Sequence, residues 1–177
     1  MKKSIGRLCM IPLAALLVSC GTTTVPMVAK TDQALYSQAV QAIQDGRFVL
    51  QGDLLEFRRG GSVNVFNNTN FISVDGDLVT IQTAFNNGLQ GANNLGGITL
   101  EGKPNNVKIT MDKRGNLSYS ARVWGALISA QIEMTVFAHS NEATATVLPS
   151  FSGNRITLNG VVVPADEARI FKGSTFP

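Results

Sequence analysis

The sequence predicts a mainly β protein, with a single domain over residues 31–177 that begins with one α-helix. Apolar residues recur at every fourth position before Gly46 and at every second position in segments after Arg47. Clusters of Gly, Asn and Asp interrupt the second region at short intervals, which is typical of hairpin turns. Many short strands without helical crossovers indicate an antiparallel sheet.

The helix is predicted over residues 31–45. Its apolar positions, four residues apart, are Leu35, Ala39 and Ile43. This spacing places them on one small apolar face. Thr31 or Asp32 is suited to cap the amino end, and Gly46 stands where a helix commonly ends in a left-handed residue. The opposite face is rich in uncharged polar residues, so we expect the helix to pack on the β domain.

About ten short strands follow the helix. The clearest alternation of apolar and polar residues occurs at 63–65, 79–85, 107–111, 117–123 and 128–136. Turn residues separate the strands at Gly60-Gly61, Asn67-Asn68, Asp75-Gly76-Asp77, Arg114-Gly115-Asn116 and Ser152-Gly153-Asn154. Half-buried strands in this order fit either a closed β barrel or a β sandwich, and the sequence does not separate the two.

Residues 1–19 have the three parts of a lipoprotein signal peptide. Basic residues at the start precede an apolar run over 8–18, and small residues precede Cys20. The run is shorter than the ~20 residues that span a bilayer. We therefore predict cleavage before Cys20, lipidation of Cys20 with acyl chains such as palmitate, and a lipid-anchored tether over residues 20–30. The absence of acidic residues beside Cys20 favours the outer membrane, facing the periplasm.

Removal of the signal peptide changes the charge of the chain. Lys plus Arg falls from 15 to 12 without Lys2, Lys3 and Arg7, while Asp plus Glu stays at 12. A neutral chain lacks the basic surface of a nucleic-acid binder, so we expect no nucleic-acid partner. Arg58-Arg59 is the one compact basic spot, and a solvated strand end explains it. Cys9 leaves with the signal, so no disulfide or cysteine metal site is predicted.

Five phrases of the sequence carry a family resemblance. They are Ala42-Ile43-Gln44-Asp45-Gly46-Arg47-Phe48-Val49-Leu50, Ser62-Val63-Asn64-Val65, Asn70-Phe71-Ile72-Ser73-Val74-Asp75-Gly76-Asp77, Gly96-Gly97-Ile98-Thr99-Leu100-Glu101-Gly102 and Leu117-Ser118-Tyr119-Ser120-Ala121. In these phrases the chain resembles the small Gram-negative lipoproteins of the domain of unknown function 4251 family, over roughly residues 32–163. The resemblance implies a lipoprotein with one mainly β domain. It implies no catalytic residues, because the family has no assigned activity.

Residues suited to catalysis or metal binding are sparse. His139 is the only histidine and falls at the end of a strand beside Ser140-Asn141. A lone histidine lacks the partners that a zinc site or a triad requires, so it fits an exposed turn better. Asp75 and Asp77 flank Gly76, where aspartates favour a turn. No phosphate-loop or nucleophile-elbow motif occurs. We therefore predict no catalytic residues, no metal and no cofactor, and interpret the protein as not an enzyme.

Two features are candidates for a binding surface. The first is a Gly- and Asn-rich loop over residues 86–97, with Asn86, Asn87, Asn93 and Asn94, because long loops in compact domains often carry function. The second is Trp124, which falls on the polar phase of its strand and is therefore predicted to be partly exposed, although burial under a loop at the barrel end also fits.

Three hypotheses about function follow. The leading one is a non-enzymatic envelope lipoprotein that binds an envelope protein or polymer through these loops. The alternative is a carrier of a small apolar or lipid ligand in a barrel cavity, because the predicted inward positions include the small residues Ala84, Ala121, Ala130, Ala143 and Ala145. Those alanines also fit tight packing of two sheets. A hydrolase is the least favoured.

Overall fold

The structure is a computed structural model that describes residues 27–85, 95, 97–126, 128–150 and 155–175. It contains one helix, α1 (Met27–Gln44), followed by nine strands. The strands are β1 (Arg47–Phe57), β2 (Ser62–Asn64), β3 (Phe71–Asp75), β4 (Leu78–Ala84), β5 (Gly97–Met111), β6 (Leu117–Gly125), β7 (Ser129–Val136), β8 (Glu142–Pro149) and β9 (Ile156–Pro164). The predicted mainly β class with one preceding helix is confirmed, with nine strands among the described residues where about ten were expected.

Eight of the strands form a closed antiparallel barrel. Each strand from β3 to β9 pairs with the next, and β1 closes the ring by pairing with β3 on one side and β9 on the other. The short strand β2 is added to the last part of β1. The closing pair runs from Phe48 opposite Pro164 to Phe57 opposite Ile156. Of the two architectures that the sequence left open, the protein therefore adopts the barrel.

A pair of glycines allows the closing strands to approach each other. Gly52 lies opposite Gly160, next to a shift in the register of β1 and β9. A Cβ atom on Gly160 would lie 2.0 Å from the carbonyl oxygen of Gln51, and one on Gly52 would lie 2.0 Å from Cδ1 of Leu158. A larger residue at position 160 would require the seam to move, and one at position 52 would require the Leu158 side chain to move. Close approach of this kind is a common reason for glycine inside a strand.

Helix α1 covers one end of the barrel. Ala39, Ala42 and Ile43 on its apolar face join the barrel core. On the same helix, the Tyr36 hydroxyl donates a hydrogen bond to the carbonyl of Gly115 in the β5–β6 turn. The helix begins four residues before the predicted start and ends one residue before the predicted end. Gly46 follows with φ of +68°, as the sequence predicts for a residue that ends a helix.

The barrel interior is filled with side chains. Alternate residues along the strands point inward, and the largest include Phe48, Leu50, Ile72, Leu117, Tyr119, Ile132 and Met134. Phe48 and Tyr119 meet edge to face at 5.1 Å between ring centroids. Four of the five alanines predicted to face inward are buried, and only Ala84 is half-buried. The small residues thus allow tight packing around the large ones.

Residues 165–175 form a segment on the outside of the barrel that we call the C-terminal strap. The buried side chain of Gln82 on β4 holds it through two hydrogen bonds. Its Nε2 donates to the carbonyl of Phe171 (2.8 Å), and its Oε1 accepts from the amide of Gly173 (2.8 Å). Lys172 forms an ion pair with Glu101 on β5. The strap contains one turn after Pro164 and then runs without regular secondary structure.

Candidate functional site

Trp124 lies on the outer wall of the barrel near the end of β6. Its neighbours Val123 and Ala121 point into the core, so the alternation of the strand directs Trp124 outward. It is held on both sides, by Lys103 on β5 and Ser129 on β7. Its side chain is 59% exposed, which decides between the two sequence interpretations in favour of an exposed tryptophan.

A shallow depression of about 460 Å³ adjoins Trp124. The residues that line it come from the β3–β4 turn, the middle of β5 and the end of β6: Asp75, Asp77, Leu78, Glu101, Gly102, Lys103, Gly125 and Ala126. Leu78 is 48% exposed and extends the apolar surface of the indole. We refer to Trp124 and this depression as the Trp124 surface.

Charged groups of both signs surround the indole ring. Asp75 is already paired with Arg47, with 3.0 Å between Oδ1 and Nε, and Glu101 is paired with Lys172 of the C-terminal strap. Glu101 also accepts a hydrogen bond from the Thr80 hydroxyl at 3.2 Å. Asp77 and Lys103 are exposed and make no such bond among the described residues. An apolar centre with a polar rim is the usual anatomy of a recognition surface.

Other predicted site residues lie outside the described residues. These are Cys20, with the whole of the predicted signal peptide, and the four loop asparagines Asn86, Asn87, Asn93 and Asn94. The loop joins β4 to β5, whose paired ends are Ala84 and Gly97. These two strand ends lie at the end of the barrel opposite helix α1.

The residues weighed for catalysis do not come together. His139 lies in the exposed β7–β8 turn with φ of +68°, and its Nδ1 is 3.0 Å from Oε1 of Gln33 on helix α1. Asp75 and Asp77 flank Gly76 in the β3–β4 turn, as predicted. Over the described parts of the chain, no group of three or more His, Cys, Asp or Glu side chains is placed to hold a metal ion. No helix within those parts is long and apolar enough to cross a membrane.

Comparison with protein families decides the classification of the chain. The model of a domain of unknown function, DUF4251, matches residues 30–162. The chain belongs to this family. The match extends from helix α1 to the last strand of the barrel and ends before the C-terminal strap.

A solved structure of the DUF4251 family has the same fold. The crystal structure of a DUF4251 family protein from Bacteroides eggerthii is 38% identical in sequence and superposes with a TM-score of 0.71. The alignment covers 81% of this chain and 96% of that one. Among curated proteins, no similar sequence is found.

The neighbours of Trp124 in this DUF4251 domain were not found by sequence reasoning. Leu78, Glu101 and Lys103 are 46, 23 and 21 positions away from Trp124, differences that follow from their numbers. The register of β4 with β5 and of β5 with β6 brings them together. In the sequence each of them is an ordinary polar or apolar residue of a strand. Only the strand pairing therefore identifies them as neighbours of Trp124.

Proposed function

We propose that this protein is a non-enzymatic binding module of the cell envelope, anchored by lipid at Cys20, and that it binds an envelope protein or polymer through the Trp124 surface. The observation that carries the proposal is the exposure of the only tryptophan of the chain on a rigid strand. Tryptophan is enriched among the residues that contribute most to binding energy, and water exposure of a large aromatic ring without a partner is unfavourable.

The rigidity of the surface supports this proposal. Trp124 projects from a strand that is paired on both sides, and Leu78 and Lys103 project from strands of the same sheet. A partner that covers the indole would therefore require little ordering of the backbone, which lowers the entropic cost of binding.

The position of helix α1 is compatible with anchoring at Cys20. Residues 21–26 separate that cysteine from the start of the helix at Met27. Six residues span at most about 20 Å when extended. A lipid anchor at Cys20 would thus hold the barrel close to the membrane.

The alternative of a lipid carrier has less support from the barrel interior. The described residues line a partly open apolar cavity of about 60 Å³ between β4, β5, β7, β8 and β9. Ligand pockets are typically about 300–1,000 Å³, several times larger. A hydrolase has still less support, because His139 and the aspartates lie in separate exposed turns.

The binding surface is tested by crosslinking and affinity capture of the intact protein from envelope fractions. We expect a recurrent partner that is lost with Trp124→Ala and retained with Leu148→Ala, which removes an exposed apolar side chain from β8. Both variants should unfold within about 2 °C of the parent, because exposed substitutions change stability little. Capture that persists in Trp124→Ala, or that is equally lost in Leu148→Ala, would contradict the proposal.

The anchor is tested separately by Cys20→Ala. We expect this variant to move from the membrane fraction to the soluble fraction. Two or three acyl chains on Cys20 would hold the parent protein at the membrane, and the variant cannot carry them. The Trp124→Ala variant serves as the control and should stay in the membrane fraction. A Cys20→Ala protein that still sediments with membranes would refute lipidation at this residue.

A further inference from the structure

Three arginines surround a pocket at the end of the barrel opposite helix α1. The pocket has a volume of about 380 Å³ and is lined by Phe57, Arg58, Arg59, Phe85, Arg155 and Ile156. Phe57 at the end of β1 lies opposite Ile156 at the start of β9. This closing pair of the barrel brings Arg58 and Arg59 beside Arg155, which lies 96 positions from Arg59 in the sequence. The basic pair therefore does not stand alone at a strand end.

The positive charge at this pocket is not balanced by its own lining. Among the residues that the structure describes, no acidic side chain lines the pocket, and the two ion pairs found there involve Arg47 and Lys172. Arg59 and Arg155 are exposed and form neither a hydrogen bond nor an ion pair within the described parts of the chain. Neighbouring like charges repel one another, so a bound anion would relieve the repulsion. Guanidinium groups bind phosphate and carboxylate oxygens through paired hydrogen bonds.

The floor of the pocket is apolar. Phe57 and Phe85 meet at 5.2 Å between ring centroids with an angle of 62° between ring planes. Ile156 lines both this pocket and the apolar cavity of about 60 Å³ inside the barrel. An inorganic anion would contact the arginines and leave this floor uncovered. An anion with an attached hydrocarbon group would cover both parts.

We propose that the pocket at the mouth of the barrel binds a small amphiphilic anion. Arg59 and Arg155 bind its phosphate or carboxylate head, and its first carbon atoms lie against Phe57, Phe85 and Ile156. The hydrocarbon part is short or lies along the mouth, because the cavity beneath holds only a few heavy atoms. This site is distinct from the Trp124 surface, since the two share no residue.

The proposal is tested by titration with hexyl phosphate, using the full chain purified in a non-ionic detergent from the host fraction in which it accumulates. We expect saturable binding of one molecule per chain. The double variant Arg59→Gln/Arg155→Gln should weaken it roughly tenfold or more, as expected for the loss of charge-assisted hydrogen bonds. The matched control is Arg122→Gln, which removes an exposed arginine from the outer face of β6 and should bind like the parent.

Two further probes separate the parts of the proposed ligand. Hexanol lacks the anion and inorganic phosphate lacks the hydrocarbon, so both should bind much more weakly than hexyl phosphate. Parallel titration with hexanoate identifies whether the preferred head is a phosphate or a carboxylate. The proposal is overturned by an absence of saturable binding, by equal binding in the double variant and in Arg122→Gln, or by inorganic phosphate or hexanol binding as tightly as hexyl phosphate. Equal melting temperatures of the variants exclude misfolding as the cause of a loss.

Discussion

Replacement of Tyr119 by phenylalanine is predicted to stabilise the protein. The Tyr119 side chain is buried in the barrel beside Phe48, and its hydroxyl has no hydrogen-bond partner among the described residues. Burial of an unpaired hydroxyl costs about 1–3 kcal/mol in proteins. Phenylalanine keeps the ring and its contact with Phe48 while removing the unpaired group. We therefore expect Tyr119→Phe to raise the free energy of unfolding by about 1–2 kcal/mol.

The same hydroxyl gives the prediction a pH dependence. Burial raises the pKa of Tyr119 from 10.0 to about 12. The unfolded chain therefore loses this proton first as the pH rises. Below pH 10 the ionisation of Tyr119 does not reduce the free energy of unfolding of the parent protein. Between about pH 10 and pH 12 that free energy falls by about 2–3 kcal/mol in total. Tyr119→Phe has no such group, so its advantage over the parent should grow across that range.

Tyr36 provides the matched control, because the chain has only two tyrosines. The Tyr36 hydroxyl donates to the Gly115 carbonyl, so Tyr36→Phe should lower stability by about 0.5–1.5 kcal/mol. Chemical denaturation of both variants gives the free energies. Alkaline titration of tyrosinate absorbance in Tyr36→Phe follows Tyr119 alone. A Tyr119→Phe protein destabilised as much as Tyr36→Phe, or a Tyr119 titration midpoint near 10, would refute the argument that the buried hydroxyl is unpaired.

Two further predictions concern the seam of the barrel and the C-terminal strap. Gly160→Ala should lower the free energy of unfolding by about 1–3 kcal/mol, because its Cβ would overlap the Gln51 carbonyl. Chemical denaturation measures this change, with Thr157→Ala on the same strand as the control. Equal stability of the two variants would contradict the close approach. Gln82→Ala should loosen the strap around Phe171 and Gly173 without unfolding the barrel, since it removes two of the hydrogen bonds that hold this segment. Hydrogen exchange should then show loss of protection at the Gly173 amide, whose acceptor is the Gln82 side chain, and retained protection in β6 and β7. Gln131→Ala is the control, and unchanged protection at Gly173 would argue against this anchoring.

The secondary structure was predictable because its signals are local. Successive side chains of a strand point to opposite faces of the sheet. Trp124 follows the polar residues Ser118, Ser120 and Arg122 at intervals of two, which is enough to predict that it lies on the exposed face. The turns at Gly60, Gly61, Gly76 and Gly115 were predictable because each requires a positive φ, which the structure has at all four. These features depend on a few neighbouring residues.

The arrangement of the strands and the candidate sites depends on distant pairs. The alternation of β1 and β9 is the same whether they pair with each other or lie in separate sheets, so the barrel could not be distinguished from the sandwich. Arg58-Arg59 was interpreted as a solvated strand end because Arg155 enters the same pocket only through that pairing. The C-terminal strap has neither a period of two nor a helical period. Its position depends on contacts with distant residues, among them the buried side chain of Gln82 and the ion pair of Lys172 with Glu101.

The pairing of the first barrel strand with the last has a consequence for folding. Phe48 and Pro164, which pair at one end of the seam, are 116 positions apart by their numbers. The chain must bear the entropy of closing this loop before the contacts of the seam are gained, and proteins dominated by such distant pairings fold slowly. The ring cannot form until β9 has been synthesised. A chain truncated before β9 would leave β1 and β8 as open edges, which are templates for aggregation.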